Sequence, residues 1–547
     1  MIKKLFSGQI NSITIAALLV ALSSLVSRFL GVFRDRILAG EFGAGDILDV
    51  YYAAFRIPDL IFNLLVLGAL SAGFIPILSC LIGKSSSLEC FSLKKKSNKD
   101  AWEFVSNVLN ILGFVLIVLS GVGIIFAPEI MKFITPGFSG EKQQAVVELT
   151  RIMFLSPIFL GISSVLGGIL QSFKRFFLYS LSPIFYNIGI IIGALYFVPM
   201  WGINGLAWGV VFGAFMHMSL QIPMVFKLGF RYKLIIDFKN KNLIKTAVMT
   251  IPRVLSLAVS QVNLLVITII ASTLASGSLA IFNFANNLQF LPISVFGISF
   301  AVAAFPTLSI VAFDRKKLIF NFSNTFRQIL FFVVPATVLL LTLRAQIIRV
   351  ILGTGSFDWN DTILTIDTLG FFAISIFAQA SIPLFVRMFY ARHNSKTPFI
   401  VGMISALINV GLSFYFSGKF GVPGLALAFS ISSIINFMLL WMVLRFDIGD
   451  MDELHILISS LKFSLAAVAA GIAVQGGKYL MADFFGTDTF LRVLSQGFFA
   501  GIAGIGVYIA FCSLLKSEEL FSFWNSIKRR LPWNKVETGD QGEARGI

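Results

Sequence analysis

Apolar runs long enough to cross a bilayer recur from one end of this chain to the other. A spanning helix needs about 20 apolar residues, and about fourteen such windows fit between residues 12 and 515. Soluble domains carry about 25% charged residues, whereas this chain carries 13%. No single soluble core could bury the apolar remainder. The expected fold is therefore an all-α polytopic membrane protein with about fourteen transmembrane helices. The first run follows a short basic start and mimics a signal peptide, yet it continues to Leu30. It reads as an uncleaved first span.

The net charge of +16 would suggest a nucleic-acid partner in a soluble protein. Here the lysines and arginines crowd alternate loops and both termini, by roughly three to one, as the positive-inside rule requires. The excess orients the chain with both termini cytoplasmic, and no nucleic acid is needed to explain it. The cysteines (Cys80, Cys90, Cys512) have no CxxC spacing and give no disulfide framework, and the three histidines are scattered. No metal site is expected. No Walker motif or glycine-rich nucleotide cradle stands in a suitable context, so no cofactor is expected either. The drive would come from membrane potential, an ion gradient or consumption of substrate outside.

An internal repeat organises the spans. FGVPGLALAFS (420–430) echoes WGINGLAWGVV (201–211), and AFPTLS (304–309) echoes FIPILS (74–79). The matches agree on one spacing of roughly 215 to 230 residues, with six spans between equivalent helices, which makes the halves parallel. The expected organisation is an N-terminal lobe at 1–228 (helices 1–6), a cytoplasmic linker at 229–242 and a second lobe at 243–446 (helices 7–12). Helices 13 and 14 follow at 447–515, and then a basic cytoplasmic tail at 516–547.

The stretch 27–78 places Arg28, Arg34, Asp35, Arg36, Asp49, Arg56 and Asp59 in or beside the first two spans, and Arg253 lies in the seventh. Ionised groups at membrane depth cost several kcal/mol unless they pair or face water, so they mark pathways. Guanidinium matches phosphate through two parallel hydrogen bonds and keeps its charge. These groups read as the polar wall of a wet substrate cavity in a membrane transporter, lined by Arg28, Arg34, Arg56 and Arg253. The plainer reading pairs Arg28 with Asp49 and Arg56 with Asp59 as structural bridges. Asp49 is either an acceptor for substrate or a partner that orients an arginine. The polar run Asn286, Asn287 and Gln289 could bind sugar hydroxyls or join helices.

Ser-Arg-x-Leu-Gly before Arg34-Asp35, FGAG with Asp49, AFRIP and GALSAGFIPIL resemble the signature of the MurJ/MviN family. These are lipid II flippases of the MOP exporter superfamily. TPGF (135–138), ILQSFKRF (169–176), SQVN (260–263), LASGS (274–278) and FYARHNSKTP (389–398) extend the resemblance through helix 12. It implies two parallel six-helix, MATE-like lobes plus two C-terminal helices forming a groove for a lipid tail. The implied activity is movement of lipid II, the undecaprenyl-pyrophosphate-linked peptidoglycan precursor, from the inner to the outer leaflet of the bacterial inner membrane by alternating access. This is a transporter's task, not an enzyme's. The family's helix 1 arginine falls on Arg28, its gate pair on Arg34 and Asp35, and its helix 2 acid on Asp49. Asn287 stands where the family often has a helix 8 arginine, and Arg253 is the candidate replacement. Arg28, Asp49, Arg56, Arg253 and Asn287 are thus the expected substrate-binding set. Sodium-site carboxylates of some members would fall on Ile267 and Ser413, which argues against a sodium site. The implied partners are lipid II, membrane lipids and cell-wall synthesis or division proteins, with the chain acting as a monomer.

Two rivals share the architecture: an exporter of another lipid-linked oligosaccharide and a MATE-like small-molecule exporter. A membrane enzyme would need paired carboxylates or a nucleophile–base pair on the outer loops, which are short and lack them. A scaffold for cell-wall enzymes would not need buried arginines.

Overall fold

The computed structural model describes residues 13–67, 73–83, 98–486 and 489–530, and among them there is no strand. The helices used below are α1 (Ile13–Phe42), α2 (Asp46–Ile61), α3 (Ile75–Leu81), α4 (Asn98–Ile125), α5 (Ala127–Ile134), α6 (Gly140–Met153) and α7 (Ser156–Ser172). They continue with α8 (Phe176–Ile192), α9 (Asn204–Ser219), α10 (Lys241–Ser272), α11 (Ser278–Pro292), α12 (Ser299–Ile310) and α13 (Arg315–Thr342). The rest are α14 (Trp359–Ala373), α15 (Ile376–Ala391), α16 (Lys396–Phe420), α17 (Val422–Ile448), α18 (Glu453–Phe485), α19 (Phe490–Leu514) and α20 (Glu518–Arg530).

Ten helices among the described residues are long and apolar enough to cross a membrane, or eleven if the bent pair α14–α15 is one span. The expected count of fourteen is not confirmed among the described residues. Helix α2, whose 16 residues carry Asp46, Asp49, Arg56 and Asp59, is not among the ten. Several spans are broken as their sequence suggests. Pro292 ends α11 and a π-helical turn, Ile293–Ile298, follows it. A second π-helical turn, Phe62–Leu67, follows α2.

Contacts group the chain into two compact units, each drawn from three stretches. The first comprises 1–291, 347–375 and 394–439, the second 292–346, 376–393 and 440–547.

The first unit has an apolar core that includes Val66, Phe74, Phe104, Leu116, Val165 and Ile169, with the Phe74 and Phe104 rings stacked at 5.7 Å. Lipid tails are as apolar as leucine, so close packing rather than water exclusion holds such helices together. Between α8 and α9 this takes the form of facing glycines. A Cβ on Gly189 would overlap the backbone of Gly213, and one on Gly193 would overlap that of Gly209.

In the second unit, α18 and α19 pack together along α13. Phe326 of α13 is edge-on to Phe385 at 5.6 Å and meets Trp441 at 5.5 Å. Tyr508 of α19 donates its hydroxyl to the Phe331 carbonyl at 2.7 Å. The region assigned to a basic tail contains a helix that the sequence reading did not foresee, α20. Its Glu519 meets Arg327 of α13 at 2.5 Å, both side chains being buried.

Cys80 is disulfide-bonded, contrary to the expectation from spacing, and Cys512 is free and buried. Sequence spacing cannot reveal such a bond, because it depends on the Cα atoms coming within about 6 Å.

Candidate functional site

The charged residues of α1 and α2 fall into two tiers within the first unit. The deeper tier centres on Arg34 and Asp35. The Arg34 guanidinium donates to Asp35 Oδ1 through Nε at 3.0 Å and Nη2 at 2.7 Å. Its Nη1 donates to Asn187 of α8 at 3.2 Å. Asp35 Oδ2 accepts from Asn287 Nδ2 of α11 at 2.8 Å. The Arg34–Asp35 pair therefore joins three helices, α1, α8 and α11, and Asp35 is buried. The pair is not a surface bridge at a helix end. Asn287, expected in the substrate-binding set, is tied to the gate pair.

Arg56 of α2 donates from Nη2 to Asn283 Oδ1 at 3.0 Å. Its Nε is buried and has no hydrogen-bond partner. Asp59 lies one helical turn away on α2, but no carboxylate comes within ion-pair distance of Arg56 among the described residues, so the Arg56–Asp59 bridge is absent. Asn283 and Asn287 lie one turn apart and present the same face of α11 to α2 and α1. Arg28 sits over the Phe290 ring with its guanidinium carbon 5.5 Å from the centroid. Arg253 lies on α10, and its side chain is outside the described residues.

The outer tier closes one end of the unit. Asp49 Oδ2 accepts from the Lys142 ammonium at 3.0 Å and the Gly277 N–H at 2.8 Å. Its Oδ1 accepts from Leu279 N–H at 2.9 Å and Ala280 N–H at 3.1 Å. The first N–H groups of a helix lack internal partners and carry partial positive charge, so Asp49 caps α11 from another helix. Its partners are Lys142 and backbone amides, and Arg28 is not among them. Lys142 also bonds Asp46 at 2.5 Å, and Ser276 donates to the same Asp46 oxygen at 2.6 Å. Hydrogen bonding from Lys142, then from Ser276, holds the Asp46 carboxyl below its usual range.

Glycine turns let the backbones meet in this seal. Gly277 has φ +85° and Gly43 φ +64°, and a Cβ on Gly277 would overlap the Ala44 carbonyl. Ser356 N–H donates to the Gly40 carbonyl at 2.8 Å, and Ala44 N–H donates to Asp361 Oδ2 at 2.9 Å. Arg36 donates to the Val350 carbonyl.

Sequence reasoning missed Lys142, Asn187, Asn283 and Asp361. In the sequence Lys142 is one loop cation among many. Asn283 could have been found, since it is four residues before Asn287 and so on its helical face. In α10 and α16, Asn409 donates to Asn263 at 2.8 Å, and Ser413 donates to Asn409 at 3.4 Å. Among the described residues no cluster of histidine, cysteine and carboxylate side chains could hold a metal.

A family model described as lipid II flippase MurJ matches residues 38–495. The chain is 31% identical over 437 residues to a probable lipid II flippase MurJ of Buchnera aphidicola from Schizaphis graminum, covering 77% of this chain and 81% of that one. It is 26% identical to the lipid II flippase MurJ of Burkholderia cenocepacia, covering 79% of this chain and 83% of that protein. A solved structure of lipid II flippase MurJ in an inward closed conformation superposes with a TM-score of 0.74 at 26% identity, covering 94% of this chain and all of that one. A multidrug MATE transporter of the MOP superfamily, inward-facing, superposes at 0.64 with 16% identity, covering 79% of this chain and 99% of that one. This last likeness concerns the fold alone.

Proposed function

We propose, from the premise that this chain belongs to the lipid II flippase MurJ family, that Arg28, Arg56 and Arg253 serve the diphosphate of lipid II during its transfer across the membrane. The protein is a multi-pass membrane protein and a lipid II flippase. The direction is from the inner to the outer leaflet of the bacterial inner membrane, with both termini cytoplasmic, as the charge asymmetry of the loops supports. The chain acts as a monomer and performs no catalytic step, so its residues bind, orient and gate.

One observation carries the reading. Arg56 has a single hydrogen-bond partner, an asparagine, and an unpaired buried Nε. Asp59 acts on it electrostatically without reaching ion-pair distance, and a buried donor left without an acceptor costs about 1–3 kcal/mol, more on a charged group. A substrate diphosphate that supplies the missing acceptors makes the arrangement reasonable. Arg34 differs, because Asp35 already neutralises it, and the pair acts as a gate. With the N-terminus cytoplasmic, the Asp49–Lys142 seal is the outer gate in its closed state. Alternating access then requires this seal to break and re-form. No nucleotide site contributes, so the drive is membrane potential, an ion gradient or removal of substrate outside. Moving one charge through the field supplies about 2.3 kcal/mol per 100 mV.

The test replaces the resident flippase of a bacterium with this chain and measures lipid II in the outer leaflet. Arg56→Ala should abolish translocation, while Arg56→Lys, which keeps the charge but not the bidentate geometry, should retain part of it. Normal translocation by Arg56→Ala would overturn the assignment.

A further inference from the structure

The short helix α5 lies between two clefts, one with cations and polar side chains in its wall and one almost wholly apolar, and neither includes the proposed gate or the arginine set. On one side lies a cleft of about 600 Å³ whose polar lining includes Lys132, Thr135, Gln143, Gln144 and Arg151. On the other lies a trough of about 600 Å³ lined by Val122, Phe126, Ile130, Phe133, Leu265 and Ile269, with Glu129 its one charged residue. We propose that together they bind one anionic phospholipid from the leaflet at this end, its phosphodiester between Lys132 and Arg151 and an acyl chain in the trough.

The two cations of the cleft and the Gln143 amide keep donors that the protein does not use. Lys132 is in no ion pair among the described residues, and Arg151 uses only Nε, at 3.3 Å from the Ile124 carbonyl. The amide nitrogen of Gln143 is buried and has no partner. The single carboxylate of the cleft, Glu148, already accepts from Gln144 at 3.1 Å. Two cations against one occupied acid favour an anion, and guanidinium with ammonium suits a phosphate.

The trough favours a lipid over a free anion. Phe133 is 74% exposed and Ile125 68%, an apolar edge that meets acyl chains. The cleft and the seal share α6, since Lys142 bonds Asp46 and Asp49 beside Gln143.

The full chain in detergent is titrated with phosphatidylglycerol and followed by native mass spectrometry, with phosphatidylcholine and inorganic phosphate as separate arms. Phosphatidylglycerol should bind more tightly than phosphatidylcholine, and phosphate should not displace it. Lys132→Ala with Arg151→Ala should weaken it by roughly fivefold per cation removed. Lys419→Ala, at a cation outside both clefts, should change nothing. Phe133→Ser, which alters only the trough, should also weaken phosphatidylglycerol, and it tests the site even where the double variant fails to fold. Equal phosphatidylglycerol binding by the wild type and either cleft variant would overturn the proposal. Displacement by inorganic phosphate alone would also overturn it, as a free-phosphate site.

Discussion

Single carboxylates in this protein act as junctions. Asp35 binds Arg34 of its own helix and Asn287 of α11, while Arg34 reaches Asn187 of α8. Asp49 draws together α2, α6 and the start of α11. Hydrogen bonds to charged groups contribute about 1.5–3 kcal/mol each, so Lys142→Met should favour the open outer end by roughly tenfold or more. Labelling of a cysteine at Ser356 by a membrane-impermeant thiol reagent reads this out, and an unchanged rate would contradict it. The Asp46 contribution has a defined sign. Its folded carboxyl titrates lower than in the unfolded chain, so its stabilisation is complete above the unfolded value, about 3.9. It is lost as pH falls through the lowered folded value. The labelling rate should therefore be flat between pH 5 and 8 as far as Asp46 governs it. The sequence revealed the charged partners on α1 and α2, because charge at membrane depth is conspicuous. It did not reveal Lys142 or Asn187. Each is ordinary in its own segment and becomes a partner only when distant helices meet.

Breaks and ends of helices carry the mobile geometry at the next scale. The division into compact units falls at 291/292 and 375/376, where α11 gives way to a π-helical turn and α14 meets α15 at 45°. Pro292, which lacks an N–H to donate, announced the first break. The second has no proline at the bend and could not be read in advance. The helix α20 was also hidden, because its closing Lys528-Arg529-Arg530 run reads, together with the polar residues after it, as a solvated basic tail. Its docking rests on Arg327, which bonds Glu519, Glu518 at 3.2 Å and Asn324 at 2.6 Å. Removing one member of a buried ion pair leaves an uncompensated charge and costs about 3–5 kcal/mol. Arg327→Leu should therefore release α20, seen as rapid proteolysis between 515 and 530 in otherwise folded protein. Protection equal to the wild type would show that Phe523, packed on Phe332 at 5.2 Å, holds the helix without the ion pair.

For the molecule as a whole, the apolar runs and the sidedness of basic residues were sufficient to read an all-helical membrane protein. The repeats and the motifs of the first two spans pointed to its family. The number of crossing helices was less legible, since α2 combines a span's place in the sequence with four charged residues. The central claim is that this chain itself carries lipid II across a bilayer. The direct measurement reconstitutes the purified protein in vesicles with fluorescent lipid II, imposes a membrane potential and follows quenching by an impermeant reagent. The account predicts transfer between leaflets only in vesicles that contain the protein. Transfer no faster than in protein-free vesicles, with potential and ion gradients supplied, would contradict it.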